Sequence, residues 1–542
     1  MYCIYIIMPG GLLNLINSGG ENFLLNGNPT KSFFKSVYPK YTNFGLQKFR
    51  LDFKGIRSLH LNESSFFSFT IPRYGDMLMD TYFAIKIPDI YSGVYPGDNN
   101  KEFKFKWIEN LGSEIIQEVE VIAGGHTLQK FSGTAIHLLA SRDYSYNKKK
   151  TFDSMTGNIK ELNDPANYST QNGLYPNAKY YDPDGPSAPS INGTTLYVPL
   201  PFWFCQNSQH AFPLVALQYT EITIKFKLRP IKDLFSICDL SGNYIKPDFN
   251  NTDHQLYYFT NPPVPEGDDY SDTKIWDSDV HLIANYAFLS KEENNALISK
   301  PQTYLIKEIF ENTFHDLVGH KKLKTYSSFL VVSWMFAFRR SDATDRNVWS
   351  NFTNWKYSNY ENFIINHDNN EKIGYRPVSG DAVTSSGYVC TNSSISKREI
   401  MVNVGILIDG KYRENIFESG VFKYVPTFSQ SPGNLTDLPY IYNYNFCLDT
   451  SSYKSFCCPN QPNGAINLSN FKDIEIEATT IIPPIHDEPM TTVECDPETG
   501  AIISITKNLN SIYHYTFDML FFEERYNLLT ITNGTCGLRY AH

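Results

Sequence analysis

The 542-residue chain has few charged residues, and its cysteines form no recognisable motif. Charged residues make up 19% of the sequence and the net charge is −10, so the basic arm or stripe that grips nucleic acid directly is missing. The longest basic block, Lys148–Lys150, is interpreted as a solvated loop. Nine cysteines form no CxxC pair, and adjacent Cys457 and Cys458 rarely bridge, which favours a reduced, intracellular assembly compartment.

No apolar run is long enough to cross a membrane. The stretch 329–338 (FLVVSWMFAF) has ten residues, whereas a transmembrane helix needs about 20, so a buried strand is predicted there. The opening residues MYCIYIIMPGG are apolar but lack a positive leader, which makes them a poor signal peptide. Met8, directly before Pro9, is a second candidate initiator.

Catalytic and metal-binding patterns are also missing. The sequence contains no GxSxG, HExxH or P-loop motif, and its 12 histidines include no HxH pair. His315 and His320 are five residues apart, a spacing that suits neither one strand face nor one helical face, so no metal site is expected. We therefore expect no enzymatic activity and no cofactor.

Other short motifs have ordinary structural interpretations. IAGGHT (122–127) lacks the third glycine of a dinucleotide loop and predicts a hairpin turn at its two glycines. IHDEP (485–489) predicts an exposed acidic turn. The acidic pairs at 292–293 and 523–524 are adjacent, so their side chains diverge instead of converging on a glycosidic bond.

The sequence is rich in aromatic rings and in turn residues. It has 37 Tyr, 38 Phe, 30 Pro and 32 Gly, a balance that favours pleated, half-buried surfaces joined by turns. Alternation of apolar and polar residues predicts strands at 103–107, 222–228, 399–408 and 473–477. In the third of these, one face is predicted to carry Ile400, Val402, Val404, Ile406 and Ile408.

Helical periodicity is rare. The candidate helices are 133–145, 291–298 and the opening GGLLNLINSGG. Many short strands with few helices indicate β-sandwiches.

The stretch LPFWFCQNSQHAFPLVALQYTEITIKFKL (200–228) is the most distinctive in the chain. It resembles the major capsid proteins of large icosahedral double-stranded DNA viruses, the nucleocytoplasmic group. The resemblance is carried by Leu200, Pro201, Phe202, Trp203, Phe204, Pro213, Leu214, Leu217, Gln218 and Tyr219. Further similar segments follow in order along the chain, among them YGDMLMDTYFAIKIP, IQEVEVIAGGHTLQKFSG, HLIANYAFLSKEE and YNLLTITNGTCGLRY.

The resemblance implies an all-β double jelly roll, with two tandem eight-stranded sandwiches, long surface loops and few short helices. We expect an N-terminal arm at 1–28, a first jelly roll at 29–238 with a long loop at 146–195, an interdomain connection at 239–276, and a second jelly roll at 277–542 with a long loop at 341–395. The strand 222–228 would end the first roll, with Lys225 and Lys227 facing outward, and HLIANYAFLSKEE would open the second.

The implied function is that of a shell subunit, a homotrimer forming a pseudo-hexagonal capsomer. Its implied partners are neighbouring capsomers and minor capsid proteins beneath the shell, with an inner membrane near only through other proteins and with no direct nucleic-acid contact. The expected location is the outer capsid of a virion assembled in the host cytoplasm. Candidate glycosylation acceptors are Asn192, Asn351, Asn392 and Asn434.

Two alternatives stay open at this stage. One is a less abundant capsid paralogue of the same fold. The other is a carbohydrate-binding or carbohydrate-cleaving sandwich that would use exposed Trp349, Trp355 and Tyr357 as stacking platforms.

Overall fold

A computed structural model gives the architecture of the chain. It describes residues 20–36, 38–53, 55, 58–92, 103–169, 171, 173, 175–178, 188–238, 244–261, 276–354, 382–383, 389–390, 398–433, 440–450, 461–483, 492–495, 502–506 and 509–540. Within these ranges, every helix is too short or too polar to span a bilayer.

Residues 1–44 form a small unit of their own. Its described part contains a 3-10 turn at Gly20–Asn22 and a short helix, α1, at Phe23–Asn26. Large apolar side chains on this unit are exposed, including Phe33 and Phe34. The helix predicted in GGLLNLINSGG lies outside the described residues, except for its final glycine.

The second unit, 45–542, begins with a set of twelve strands. These are β1 Phe44–Asp52, β2 Ser65–Thr70, β3 Met77–Lys86, β4 Lys104–Trp107, β5 Ile116–Ala123, β6 His126–Phe131, β7 Thr195–Pro199, β8 Phe212–Pro213, β9 Ile222–Leu228, β10 Phe235–Cys238, β11 Tyr244–Ile245 and β12 His281–Leu289. One sheet has the order β1-β12-β3-β7 and the facing sheet has the order β2-β9-β5-β6. Four strands against four is a jelly roll, and we call it the first roll.

The remaining described strands form a second roll and two separate two-stranded sheets. They are β13 Gln302–Leu317, β14 His320–Thr325, β15 Leu330–Arg340, β16 Ala382–Val383, β17 Val389–Cys390, β18 Met401–Ile408, β19 Lys411–Glu418, β20 Ile441–Asn445, β21 Ile466–Asn467, β22 Ile474–Thr480, β23 Thr492–Cys495, β24 Ile502–Thr506, β25 Phe517–Thr532 and β26 Thr535–Leu538. The sheets β13-β25-β15-β20 and β14-β22-β18-β19 make the second roll. The predicted double jelly roll is therefore confirmed.

Helices are few and short. They are α2 Leu111–Glu114, α3 Gly133–Asp143, α4 Tyr146–Thr156, α5 Lys160–Asn163, α6 Trp203–Gln206, α7 Leu256–Thr260, α8 Lys291–Ser299, α9 Ser419–Gln430 and α10 Leu509–Ile512. The predicted helices at 133–145 and 291–298 correspond to α3 and α8. Each begins after a serine, Ser132 and Ser290, whose hydroxyl accepts a backbone N–H of the first turn.

One sheet of the second roll is buried on both faces. In β15, Trp334 and Phe336 point into the second roll's own core, whereas Met335 and Ala337 join the core of the first roll. Strand β25 repeats this division. A strand covered on both sides reads as a continuous apolar run, which is why FLVVSWMFAF shows no alternation. The two rolls consequently share an apolar boundary.

The structure corrects the order of strands at the boundary between the rolls. Strand β9 (222–228) does not end the first roll, because β12 follows it and pairs with β3 from His281–Ala84 to Ala287–Met77. The segment HLIANYAFL therefore belongs to the first roll and does not open the second. Its alternate residues Leu282 and Ala284 are buried in the first core, which explains this placement.

Two predicted connecting segments also contain packed structure. The loop expected at 146–195 includes α4 and α5, so the Lys148–Lys150 block lies on a helix and not in a loop. Phe152 and Leu162 anchor these helices in the first core. In the expected connection 239–276, the described residues 244–261 contain α7, whose Leu256 and Phe259 are buried in the same core.

The single buried face predicted for 399–408 is only partly present. Val402 is exposed, because a register shift in the pairing of β18 with β22 between Met401 and Asn403 reverses the alternation there. The other predicted face residues, Ile400, Val404, Ile406 and Ile408, are buried.

Candidate functional site

The segment that carries the capsid resemblance is part of the first core. Phe202, Trp203 and Phe204 are almost fully buried, and ring contacts join Phe202 to Phe131 at 4.9 Å and Trp203 to Phe204 at 5.0 Å. Phe202 immediately precedes α6, the short helix before the turn at Pro213, and Trp203 and Phe204 are its first two residues. In β9, which follows, Lys225 is exposed and Lys227 half-buried, as alternation predicts.

The same segment connects the first roll to the second. The side chain of Gln129 accepts the backbone N–H of Trp203 at 3.1 Å and donates to the carbonyl of Lys307 in β13 at 3.0 Å. The side chain of Gln129 thus bridges α6 of the first roll and β13, an edge strand of the second roll.

A second connection is made by the turn at 217–220. Leu217 is buried, whereas Gln218 and Tyr219 are exposed. Arg73 donates to the carbonyls of Leu217, Gln218 and Thr220 and so fixes the turn. The backbone N–H of Tyr219 and the hydroxyl of Thr220 both donate to the carbonyl of Gly534, at 3.2 and 3.1 Å, in the hairpin between β25 and β26.

Buried ions form a further polar contact between the rolls. Arg142, at the end of α3, is 2.8 Å from Glu524 of β25 and 2.7 Å from Asp143. Thr450 of the second roll donates to Asp143 at 3.0 Å. Burial alone would raise the pKa of Glu524, but the positive charges of Arg142 and Lys307 outweigh it and lower the pKa to about 2.

A second buried carboxylate, Glu114 of α2, also has charged and polar partners. It is 3.2 Å from Arg229 and 3.4 Å from Nδ1 of His137, and Ser350 from the second roll donates to it at 3.3 Å. Burial acts to raise the pKa of Glu114, but His137 and Arg229 lower it to about 2. We call Glu114, Arg142, Arg229 and Glu524 the ionic seam.

The segment after β15 covers the Glu114–Arg229 part of this seam. It begins with a 3-10 helix at Ser341–Arg346. Trp349 is 8% exposed, its indole N–H donates to the carbonyl of Asp233 at 3.0 Å, and the guanidinium of Arg229 lies 3.8 Å from its ring centre. Trp349 is therefore a buried contact between rolls and not an exposed sugar platform. Trp355 and Tyr357 lie outside the described residues.

Comparison with known proteins shows similarity to viral capsid proteins. Residues 32–290 match the family described as major capsid protein N-terminus. The chain is 28% identical over 349 residues to the major capsid protein of Chrysochromulina ericina virus, covering 59% of this chain and 56% of the relative. It is 30% identical over 304 residues to capsid protein 1 of Acanthamoeba polyphaga mimivirus, covering 56% and 44%. The chain spans about half the length of these curated relatives.

Solved structures agree on the fold over nearly the whole chain. The Faustovirus major capsid protein superposes with a TM-score of 0.59 at 12% identity, covering 97% of this chain and 99% of that one. A chain of the PBCV-1 virus capsid gives 0.58 at 18% identity, covering 94% and 100%. The first half of the chain is thus similar in sequence to major capsid proteins of large DNA viruses, and nearly the whole chain has the fold of these solved capsid structures. The family match ends at residue 290, one residue beyond β12, as expected if this strand completes the first roll.

The candidate chemical groups do not assemble into a reactive site within the described residues. Exposed His315 and His320 bind separate carboxylates, Asp518 at 3.1 Å and Glu477 at 3.2 Å. No group of three or more potential metal ligands is found in the part of the chain that the structure describes. Glu523 accepts the indole N–H of Trp334 at 2.7 Å, so it diverges from Glu524 as predicted. The IHDEP stretch lies outside the described residues.

The predicted acceptor asparagines differ in accessibility. Asn192 is exposed, with its amide nitrogen 3.4 Å from Glu161. Asn351 is half-buried, and its amide oxygen accepts both the N–H and the hydroxyl of Thr353, at 3.0 and 2.6 Å. Asn392 and Asn434 lie outside the described residues. Glycosylation stays a prediction, with Asn192 the best-presented of the two described acceptors.

Sequence reasoning did not identify the ionic seam. Its members are scattered between residues 114 and 524, and each is an ordinary charged residue in the sequence. The available signal was the long apolar run in β15, where absence of alternation indicates a sheet covered on both faces.

Proposed function

We propose that the chain is a major capsid protein, a structural subunit that forms a homotrimeric, pseudo-hexagonal capsomer of an icosahedral shell. The observation that supports this most directly is the fixed pairing of two jelly rolls by a shared apolar sheet and a buried ionic seam. Three copies of such a pair present six similar lobes, so a threefold unit fits a hexagonal lattice. We infer no catalytic role.

The proposed partners are neighbouring capsomers and minor capsid proteins beneath the shell. The net charge of −10 supports a shell without direct nucleic-acid contact, because phosphate binding needs clustered cations. An inner membrane would be near the protein only through those other proteins. The proposed location is the outer capsid of a virion assembled in the host cytoplasm.

An exposed apolar surface on the second roll supports association. Strand β19 and helix α9 present apolar side chains to solvent, and we call this surface the β19–α9 patch. It consists of Ile416, Phe417, Val421, Tyr424, Val425 and Phe428, with exposed fractions from 38% to 85%. Contiguous apolar surface of this kind marks interaction sites in soluble proteins.

The test is the assembly state of the purified chain. Size-exclusion chromatography with light scattering is expected to give three times the 62.1 kDa chain mass. Phe428→Asp should shift the protein towards monomer by at least tenfold in dissociation constant without unfolding it, because Phe428 is 85% exposed. Tyr326→Asp, equally exposed on another part of the roll, is the control and should remain trimeric. A stable, folded wild-type monomer would contradict the proposal.

A less abundant capsid paralogue with the same fold is the alternative. Mass spectrometry of purified particles distinguishes the two, since the major protein must dominate the particle by copy number.

A further inference from the structure

A cleft of about 1030 Å³ lies on the boundary between the rolls. Its walls come from β5 and β6 of the first roll and from β13 and β26 of the second. The lining residues are Gln117, Glu118, 126–132, 308–311 and 536–538. The volume is at the upper end of the roughly 300–1,000 Å³ range of small-molecule pockets, so the cleft has room for several side chains.

The cleft is acidic at its walls and apolar between them. Glu118, Glu308 and Glu311 supply three carboxyl groups, and the cation among the lining residues, Lys130, is already 2.8 Å from Glu118. Ile309, Phe310 and Leu538 are only half-buried and offer apolar surface to an occupant. This combination repels phosphate groups and suits a peptide that carries both lysines and aromatic rings.

The N-terminal unit contains a segment with that chemistry. Residues 29–36 (PTKSFFKS) include Lys31 and Lys35, and the sequence has no Asp or Glu between Asn22 and Leu51. Phe33 and Phe34 are fully exposed in the structure. The apolar surface of these two phenyl rings is removed from water only if another surface covers them.

We propose that residues 29–36 of a second copy of the chain occupy the cleft between the rolls. The lysines would lie against Glu118 and Glu311, and the phenyl rings would cover Ile309, Phe310 and Leu538. This inference rests on the proposed capsomer, because a trimer keeps neighbouring segments at a high effective concentration around each cleft.

The first test maps the contact in the assembled full-length protein. Phe34 is replaced by photoreactive benzoyl-phenylalanine, and isotopically heavy and light chains are assembled together before irradiation. Mass spectrometry should find a heavy arm joined to light peptides from 117–132, 308–311 or 536–538. Crosslinks confined to one copy, or to other surfaces of an intact trimer, would overturn the inference.

The second test uses charge reversal. Glu311→Lys should lower the intermolecular crosslink yield at least threefold, and Lys31→Glu with Lys35→Glu in the same chain should restore it. Glu63→Lys, at an exposed carboxylate outside the cleft, is the control and should leave the yield unchanged. Because Glu311 also accepts the backbone N–H of Ser132 at 2.6 Å, Glu118→Lys is the second variant if Glu311→Lys unfolds.

The outcomes separate this inference from the proposed function. A monomer in light scattering contradicts the capsomer itself. An intact trimer whose crosslink yield does not respond to either charge reversal contradicts only the docking of the segment.

Discussion

The ionic seam and the cleft both lie on the boundary between the rolls, but they shift the pKa values of buried carboxyl groups in opposite directions. In the seam, Glu524 and Glu114 each have an arginine within 3.2 Å, and their pKa values fall to about 2. In the cleft wall, Glu308 accepts a hydrogen bond from the neutral amide of Asn527 at 3.0 Å, and burial raises its pKa to about 7. The seam thus favours ionised carboxylates, whereas the cleft favours a protonated one.

This difference has opposite consequences for stability. A carboxylate with a lowered pKa stabilises the fold above its unfolded pKa near 4.5, and that stabilisation is lost as the pH falls towards 2. A carboxyl group with a raised pKa is favourable only while protonated, so its contribution declines as the pH rises from about 4.5 through 7. The seam therefore contributes most to stability at neutral pH, whereas Glu308 in the cleft wall contributes most at acidic pH.

The largest expected effect comes from breaking the seam. Arg142→Leu should lower the free energy of unfolding by about 3–5 kcal/mol, because it leaves Glu524 buried without its arginine. Denaturant unfolding at fixed protein concentration measures this. Lys324→Ala, which removes an exposed ion pair with Asp473, is the control and should cause no measurable change. Equal stability of Arg142→Leu and wild type would show that the seam does not hold the rolls together.

The next effect sharpens the contrast between the two regions. Glu308→Gln keeps an acceptor for Asn527 but removes the titrating group, so the variant should gain up to about 3 kcal/mol over wild type at pH 8 and nothing near pH 4. Unfolding free energies measured across this pH range test it. The matched substitution in the seam, Glu524→Gln, should instead destabilise the protein at pH 8. Parallel pH profiles for Glu308→Gln and wild type would contradict the raised pKa.

The sequence predicted the fold class, several strands and the helices α3 and α8, but it missed α4 and α9 and misplaced the boundary between the rolls. Strand β12 follows a long connection, and its pairing with β3 joins residues about 200 positions apart, which no local pattern indicates. The prediction of a surface loop at 341–395 was wrong at Trp349 for a similar reason. Trp349 occurs in a polar stretch, yet its burial depends on Arg229 and Asp233 of the other roll. Deleting the whole stretch would therefore remove part of the core.

The smallest expected effect concerns the hairpin of β26, which also supplies a wall of the cleft. Gly534 has φ +79°, and a Cβ there would lie 2.6 Å from the ring of Tyr219. Gly534→Ala should therefore cost about 1–2 kcal/mol, from the left-handed backbone and from the crowded ring. Thermal unfolding of the purified protein measures the loss.

Gly125→Ala separates the two causes. Gly125 has φ +87° at the equivalent hairpin position in the first roll, but a Cβ there meets nothing within 4 Å, so only the backbone cost applies. Adding Tyr219→Ala to Gly534→Ala should reduce its loss to that of Gly125→Ala. If both glycine variants lower the free energy of unfolding equally with Tyr219 present, the ring of Tyr219 does not restrict the side chain at position 534. The fixed pairing of the rolls would then depend on the shared apolar sheet and the ionic seam, and not on this contact.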